Sequence, residues 1–538
     1  MTMAAGGQVQ TQFSTDPNSI VTVNVSIVLA PTPIEYQRTG ALVSFGATNL
    51  PVNDTTLLTQ LSDINNPVDL TVSGSPLILV QPFTISSMSW SGGTMTGTVS
   101  TPFTNGIDVG DVVDMVISGM LPIGPACNGL HNCTITSTTG FTYNDSTTVT
   151  NPGTIDHSHG TIVPHSVIEL QQMATTFFSQ GNEIGVWILE LGYDDNPTNN
   201  VTALQTWLEN NPLTIYGFLM PRKFGSLATI LGTADVPLPF TNLLKQYQNN
   251  SAMEYFWLTV TPQTMTSLFF GGNTSFGSTY KDVIQMVEAP ALTNPALIFE
   301  PAEGADAAYY AIPNYLDPNG EFTLAAMFYN ALAYRPSNTN RIAPMAFKYL
   351  YGVTEYPQKG NGPLLKSFKA AWTNYVSTGA EGGISFTMVY QGVTLDGQDY
   401  FNWWYTIDWV QININLDLSN AIINGSNNPL APLYYNQDGI NYLETVLVGT
   451  MQDAQTFGMV LGKIVMTQLD GPDLSAAING GTFAGQCDVN AVPFLNYSLA
   501  NPGDYKIGEY DGLSALFIPA RGFIHILVNL VVTDLISL

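Results

Sequence analysis

VWILELGYDDNPTNNVTALQTWLENNPLTIYGFLM, residues 186 to 220, decides how the middle of this chain folds. Val186–Glu190 is a short, nearly unbroken apolar run, the pattern of a strand covered on both faces. Val201–Glu209 reads as a helix, and Thr214–Met220 as a second strand. Downstream the alternation continues, with a helix near Phe240–Gln248 and a third strand at Tyr255–Val260. Strands and helices at this spacing predict an α/β layer with a largely parallel sheet. Two further helices follow. Phe322–Tyr334 carries Leu324, Ala325, Phe328, Tyr329 and Leu332 on one face, and Leu364–Tyr375 is the other.

Upstream the texture differs. From Ser86 to Thr154, β-prone runs (Met95–Val99, Val112–Ile117, Thr134–Thr138) alternate with Gly, Asn, Ser and Pro and show no helical period. That predicts a small all-β module. Thr55–Leu61 before it and Ser166–Phe178 after it read as helices, so the module is inserted into a domain that resumes near His165. Toward the C-terminus, Val410, Ile412, Ile414, Leu416 and Leu418 alternate as in a strand, although Trp409, Ile412 and Leu416 also fit helical spacing. Periodicity alone favours the strand. Gly439–Val460 reads as a helix, and the last fifty residues are again β-prone.

Both ends carry a period-two pattern. Val21, Val23, Val25, Ile27 and Leu29 alternate with Thr22, Asn24, Ser26 and Val28; Ile524, Ile526, Val528, Leu530 and Val532 share one face near the other end. Such strands pair within their own sheet or lend an edge to a neighbouring chain.

With 538 residues, the chain is long enough for about three or four domains. Only 10% of residues are charged, against roughly 25% in ordinary soluble domains. Acids outnumber bases 41 to 14, for a net charge of −27. Such a surface repels nucleic acid and disfavours an anionic membrane. Polar, sparsely charged faces suit a protein covered largely by copies of itself; an ordinary acidic secreted protein has the same composition. Three cysteines, Cys127, Cys133 and Cys487, make no disulfide framework. The opening MTMAAGGQVQTQF lacks the basic and apolar regions of a secretory signal. No stretch reaches the ~18 apolar residues of a membrane span. Synthesis in a reducing cytoplasm and no direct membrane insertion are expected.

Catalytic spacing is absent: there is no phosphate loop, no GxGxxG, no HExxH and no GxSxG elbow. His157, His159 and His165, with Asp156 alongside, would offer a metal two imidazoles on one strand face; a solvated polar loop explains them better. Cys127, His131 and Cys133 lack a fourth ligand and the usual zinc spacing, leaving a loop disulfide or two free thiols. Asp194, Asp195 and Asn196 serve turn and cap duty better than calcium binding. Phe401, Trp403, Trp404, Tyr405 and Trp409 read as core or subunit interface, not as a sugar platform. No catalytic residue, metal or cofactor is expected.

SIVTVNVSIVLAPTPIEYQRTGALVSFG (Ser19 to Gly46) resembles the start of tail sheath proteins from contractile-tailed bacteriophages. AAMFYNALAYRPSNTNRIAPMAFKYLYGVT (Ala325 to Thr354) resembles the same family's middle region. YFNWWYTIDWV (Tyr400 to Val410), PLYYNQDGINYLETVL (Pro432 to Leu447) and GEYDGLSALFIPARGFIHILVNLVV (Gly508 to Val532) are similar to its C-terminal domain. GGTMTGTVSTPFTNGIDVGDVVDMVISGM and CNGLHNCTITSTTGFTY look like a β module that recurs in phage structural proteins. Its "v-G-d-x-V" step stands at Val109–Val113 and its closing "F-T-Y" within Gly140–Tyr143. The basic residues usual near the family's C-terminus are few here, Lys506 and Arg521 being the main ones.

The resemblance implies a multidomain α+β and α/β fold with a tail-sheath-like core. Its parts are an N-terminal arm (1–35), a discontinuous segment (36–85 and 155–182), an inserted all-β module (86–154), an α/β middle domain (183–375) and an α+β C-terminal domain with a terminal strand (376–538). It makes Thr55–Leu61 a short helix and Trp409–Ile423 a helix, against the strand favoured by periodicity. The implied role is structural: a virion subunit assembled in the bacterial cytoplasm, stacking as rings around a tail tube. Its partners would be copies of itself, the tube protein, and the baseplate and terminator proteins. Val21, Val23, Val25, Ile27, Leu29, Ile524, Ile526, Val528, Leu530 and Val532 would form the linking strands. A secreted α/β hydrolase-like enzyme with a β accessory module is the alternative from another class, and a tail-tube or capsid protein the alternative within phage structure.

Overall fold

Apolar runs with a two-residue period and helices with one apolar stripe build a mixed α/β protein of several sheets. It is seen here in a computed structural model. The structure describes residues 9–10, 26–27, 36–64, 78–103, 106–121, 127–144, 154–194, 197–225, 253–260, 283–287, 320–337, 341–356, 362–370, 372–378, 386–394, 400–482 and 485–523. Two compact units divide it. The first is Met1–Tyr334, Leu350–Thr387 and Thr394–Gly397; the second is Arg335–Tyr349, Met388–Val393 and Gln398–Leu538.

In the first unit, β1 (Val9–Gln10) and β2 (Ser26–Ile27) form a short antiparallel pair. The main sheet begins with β3 (Gly40–Ser44), every residue of which is buried, and β4 (Thr55–Leu58). Thr55–Leu58 was expected in a helix, and that expectation is corrected. The segment pairs antiparallel with Val186–Leu189, Leu58 inward and Leu57 outward, and a short 3-10 turn follows at Leu61–Ile64. An open strand edge and β-branched threonines outweigh the weak helical spacing of so short a run.

The all-β region closes into a six-stranded barrel. It contains β5 (Phe83–Ser91), β6 (Thr94–Val99), β7 (Val112–Ser118), β8 (Gly129–Ser137), β9 (Gly140–Asn144) and β10 (Thr161–Pro164). Neighbours run β10-β5-β6-β9-β8-β7, all antiparallel, and β10 closes the ring against β5 and β7. Closure leaves no strand edge exposed. The strands span Phe83–Pro164, wider than the 86–154 read from sequence texture, because the first and closing strands flank the Gly- and Ser-rich part.

Chain direction then passes into α1 (His165–Ser179), β11 (Val186–Glu190), α2 (Pro197–Asn210), β12 (Gly217–Leu219), β13 (Tyr255–Val260), β14 (Val283–Val287) and α3 (Thr323–Leu332). The sheet order is β14-β13-β12-β3-β11-β4, parallel except for β4. One face packs Val201, Leu204, Trp207 and Leu208 of α2 onto Ala41, Val43, Leu189, Phe218 and Phe256. On the other, Phe328 of α3 meets Trp257 at 5.2 Å and Phe177 of α1 at 6.2 Å between ring centroids. Gly40 lets α3 approach: a methyl there would strike Phe328 and Leu332. The helix expected at Phe240–Gln248 lies outside the described residues. The helix expected at Leu364–Tyr375 is shorter, α4 (Gly362–Ala370). Trp372 turns with φ +50°, and Tyr375 opens strand β15 (Tyr375–Thr378).

After β16 (Thr387–Tyr390), the second unit is built on α5 (Phe401–Ser426) and α6 (Gln437–Thr456). The strand favoured at Trp409–Leu418 is thus corrected to helix. Phe401, Tyr405 and Trp409, four residues apart, are buried, whereas Leu416 of the alternating set is exposed. Packing against α6, with Thr450 Oγ1 donating to Asp417 Oδ2 at 2.7 Å, selects the helical period. Then come β17 (Val460–Leu461), β18 (Ile464–Thr467), α7 (Gly471–Asn479), β19 (Cys487–Ala491), α8 (Phe494–Ala500), α9 (Pro502–Ile507), β20 (Leu513–Leu516) and β21 (Ile518–Pro519).

Candidate assembly surface

The second unit presents incomplete sheet. β18, β19 and β20 form a three-stranded sheet with β19 wholly buried at its centre. β18 runs parallel to β19, and β20 antiparallel. Among the described residues nothing pairs with the outer edges of β18 and β20, so each offers unpaired main-chain groups to another strand. Beside β20 lies an apolar groove of about 520 Å³, lined by Ile414, Leu418 and Ile422 of α5, Leu443 and Leu447 of α6, and Leu513. Outside it, Leu495 and Leu499 share one face of α8 and are 63% and 73% exposed, and Ile507 is 74% exposed. Contiguous apolar surface of this kind is where proteins commonly meet.

Of the expected linking-strand residues, Ile27 lies on β2 opposite Val9. Val21, Val23, Val25, Leu29, Ile524, Ile526, Val528, Leu530 and Val532 lie outside the described residues. The last described residues before Ile524 lie beside the start of α5. Asn402 Nδ2 donates to Ala520 O at 3.1 Å, and the Arg521 guanidinium stands 5.6 Å from the Trp403 ring. The aromatic run of α5 is therefore partly core and partly a seat for the C-terminal segment.

His157 and His159 sit in a polar turn, where Ser158 N donates to Asp156 Oδ1, while His165 opens α1. Among the described residues no three His, Cys, Asp or Glu side chains converge as metal ligands. Cys127 and Cys133 are buried and not joined in a disulfide, and burial, with Asp114 nearby, pushes the Cys133 thiol well up. His131 stacks on Tyr143 at 4.1 Å. Asp194 accepts from Asn199 Nδ2 at 2.8 Å, and its carbonyl from Asn200 Nδ2 at 3.0 Å, fastening the first turn of α2.

The sequence reading missed the buried acids. Glu190, 1% exposed, ends β11 inside a ring of five donors. Oε1 takes Gly46 N (2.7 Å) and Gly192 N (2.8 Å); Oε2 takes Ser44 Oγ (2.7 Å), Thr48 N (3.1 Å) and Thr48 Oγ1 (2.8 Å). Glu169 accepts Arg222 N at 2.8 Å, while the Arg222 guanidinium donates to Gln172 Oε1 and Glu321 O and lies 4.3 Å from the Phe322 ring centre. In the second unit, burial pushes the Glu444 and Asp488 carboxyls up; neither Asp488 oxygen has a hydrogen-bond partner. A single Glu inside an apolar run is the one sequence signal that pointed to Glu190. Glu190 and Glu169 fix backbone by accepting from main-chain N–H groups.

No protein-family model matches this chain. No curated protein matches it either. Among solved structures, a sheath tail protein from Listeria innocua is similar over 80% of this chain and 90% of that one, at 11% identity and a TM-score of 0.35.

Proposed function

We propose that this chain is a structural subunit of a contractile phage tail sheath, not an enzyme. It polymerises helically around a tail tube and contracts to drive the tube through the host envelope. The observation that carries the reading is the open-edged sheet of the second unit, with an apolar groove beside β20. The alternating residues Val21–Leu29 and Ile524–Val532 match it in kind. A strand added to such an edge gains a main-chain ladder and buries every second side chain. Links of this sort join copies firmly while the globular parts rotate. The sparse, acidic charge supports the reading too, since it leaves polymer contacts apolar and repels nucleic acid. The partners are other copies of this chain, a tail tube protein, and baseplate and terminator proteins. Its place is the virion, after assembly in the bacterial cytoplasm.

Removing residues 524–538, or 1–35, is expected to leave protein with full-length secondary structure and melting but no polymer in sedimentation. Normal polymer from either deletion would overturn the linking-strand assignment.

A further inference from the structure

The second unit has room for one more strand. α6 packs on β19, and α5 lies against α6. The groove of about 520 Å³ lies between these helices and β20, with Ile414, Leu418 and Ile422 of α5 on one wall and Leu513–Ala515 on another. Among the described residues nothing pairs with the outer edge of β20. A strand added there would lie against α5 and put every second side chain into the groove.

The course of the chain points to the strand that is nearest. From the groove at β20 it passes through β21 to Ala520 and Arg521, beside Asn402 and Trp403 in the first turn of α5. It has thus run from the groove to the far end of that helix. Ile414 and Ile422 lie about 17 and 29 Å along α5 from Trp403, at ~1.5 Å per residue. Ile524–Val532, returning as a strand at ~3.3 Å per residue, spans about 30 Å. A short connection makes that return antiparallel to β20. The alternation of Ile524, Ile526, Val528, Leu530 and Val532 supplies one apolar face for the groove.

Other occupants are at a disadvantage. The alternating segment Val21–Leu29 belongs to the first unit and is joined to β20 by most of the chain. A second copy's segment arrives at the concentration of the protein, whereas one tethered by a few residues has an effective concentration in the millimolar range.

We infer that in the unassembled subunit residues 524–532 fold back as a fourth strand on β20, fill the groove and close the edge that a neighbouring copy would use. Ordering nine residues offsets most of the gain from burying their apolar side chains, so the seat is exchangeable and adds little to melting. The consequence for assembly rests on the sheath reading: the subunit is self-capped, and polymer forms when a second copy's strand takes the same seat.

Hydrogen exchange at the amides of Leu513–Leu516, in dilute monomeric full-length protein, tests the fold-back. Their outward N–H groups should exchange at least tenfold faster in the double variant Val528→Asp, Leu530→Asp, and no faster after removal of residues 1–35. Equal exchange in wild type and double variant overturns the inference. Faster exchange on removing residues 1–35 would seat the N-terminal strand there and overturn it too. A disulfide lock gives a second reading. Ile422→Cys combined with Val528→Cys, or with Leu530→Cys, should close a bond within one chain at a rate unchanged by tenfold dilution, and the oxidised protein should polymerise only after reduction. Bonds formed solely between chains would make a second copy the occupant, and polymer from the oxidised protein would overturn self-capping. A lock that closes within the chain, with no polymer before or after reduction, would sustain the fold-back and sink the sheath reading instead.

Discussion

Glu190→Ala is expected to cost the first unit about 3–5 kcal/mol, because it leaves several buried donors unmet at about 1–3 kcal/mol each before the loops relax. The carboxylate is 1% exposed and takes five hydrogen bonds from the β3 end, the loop after it and Gly192, two residues past β11. Removing it strands three backbone N–H groups and two hydroxyls out of water. Gly46 and Gly192 hold φ of +75° and +80°, so these turns are shaped around the carboxylate. Glutamine keeps the length but turns an NH2 toward donors, so Glu190→Gln should recover only part of the loss. A loss this size is a large fraction of the 5–15 kcal/mol typical of a domain. Urea melts followed by amide exchange of β3 and β11 would show it. A variant within about 0.5 kcal/mol of wild type, the range of an inert surface change, would mean that water replaces the carboxylate.

The second large effect has the opposite sign. Glu254 is 3% exposed just before β13; Oε1 accepts only Leu213 N at 3.3 Å, and Oε2 has no partner. Burial pushes its pKa from 4.5 to about 7, with the Leu213 bond opposing. The folded state therefore holds the proton more tightly than the unfolded chain does. Stability from this group is complete below about pH 4.5 and is lost as pH rises toward 7. At pH 8 the deficit is about 3 kcal/mol, from 1.36 kcal/mol per pKa unit. Glu254→Gln should raise stability by up to that amount at pH 8 and change it little at pH 4. Parallel melting profiles for the two proteins across that range would refute the argument. Glu444 and Asp488 shift in the same direction, so acidification should stabilise the second unit too.

Much of the fold is legible because burial leaves a period. Val186–Glu190 and Tyr255–Val260 match the strands residue for residue, since a strand covered on both faces must be apolar throughout. The stripe on Phe322–Tyr334 likewise marks α3. Short segments fail where a neighbour decides. Thr55–Leu58 is a strand because β11 has a free edge, and Phe401–Ser426 is a helix because α6 lies against it. No single-segment period contains those partners. The buried acids were invisible for a related reason. A Glu that ends or precedes a strand looks like any surface acid until the fold closes loops around it. The candidate assembly surface is half legible: the alternating ends show in the sequence, but the open edges of β18 and β20 appear only when strands are paired.

Negative-stain electron microscopy of the purified full-length protein, over a range of concentration and salt, tests the central claim most directly. Tubes or stacked rings with a hollow bore of uniform width are the predicted result. Isolated monomers under every condition, including co-expression with a candidate tube protein, would contradict the sheath reading.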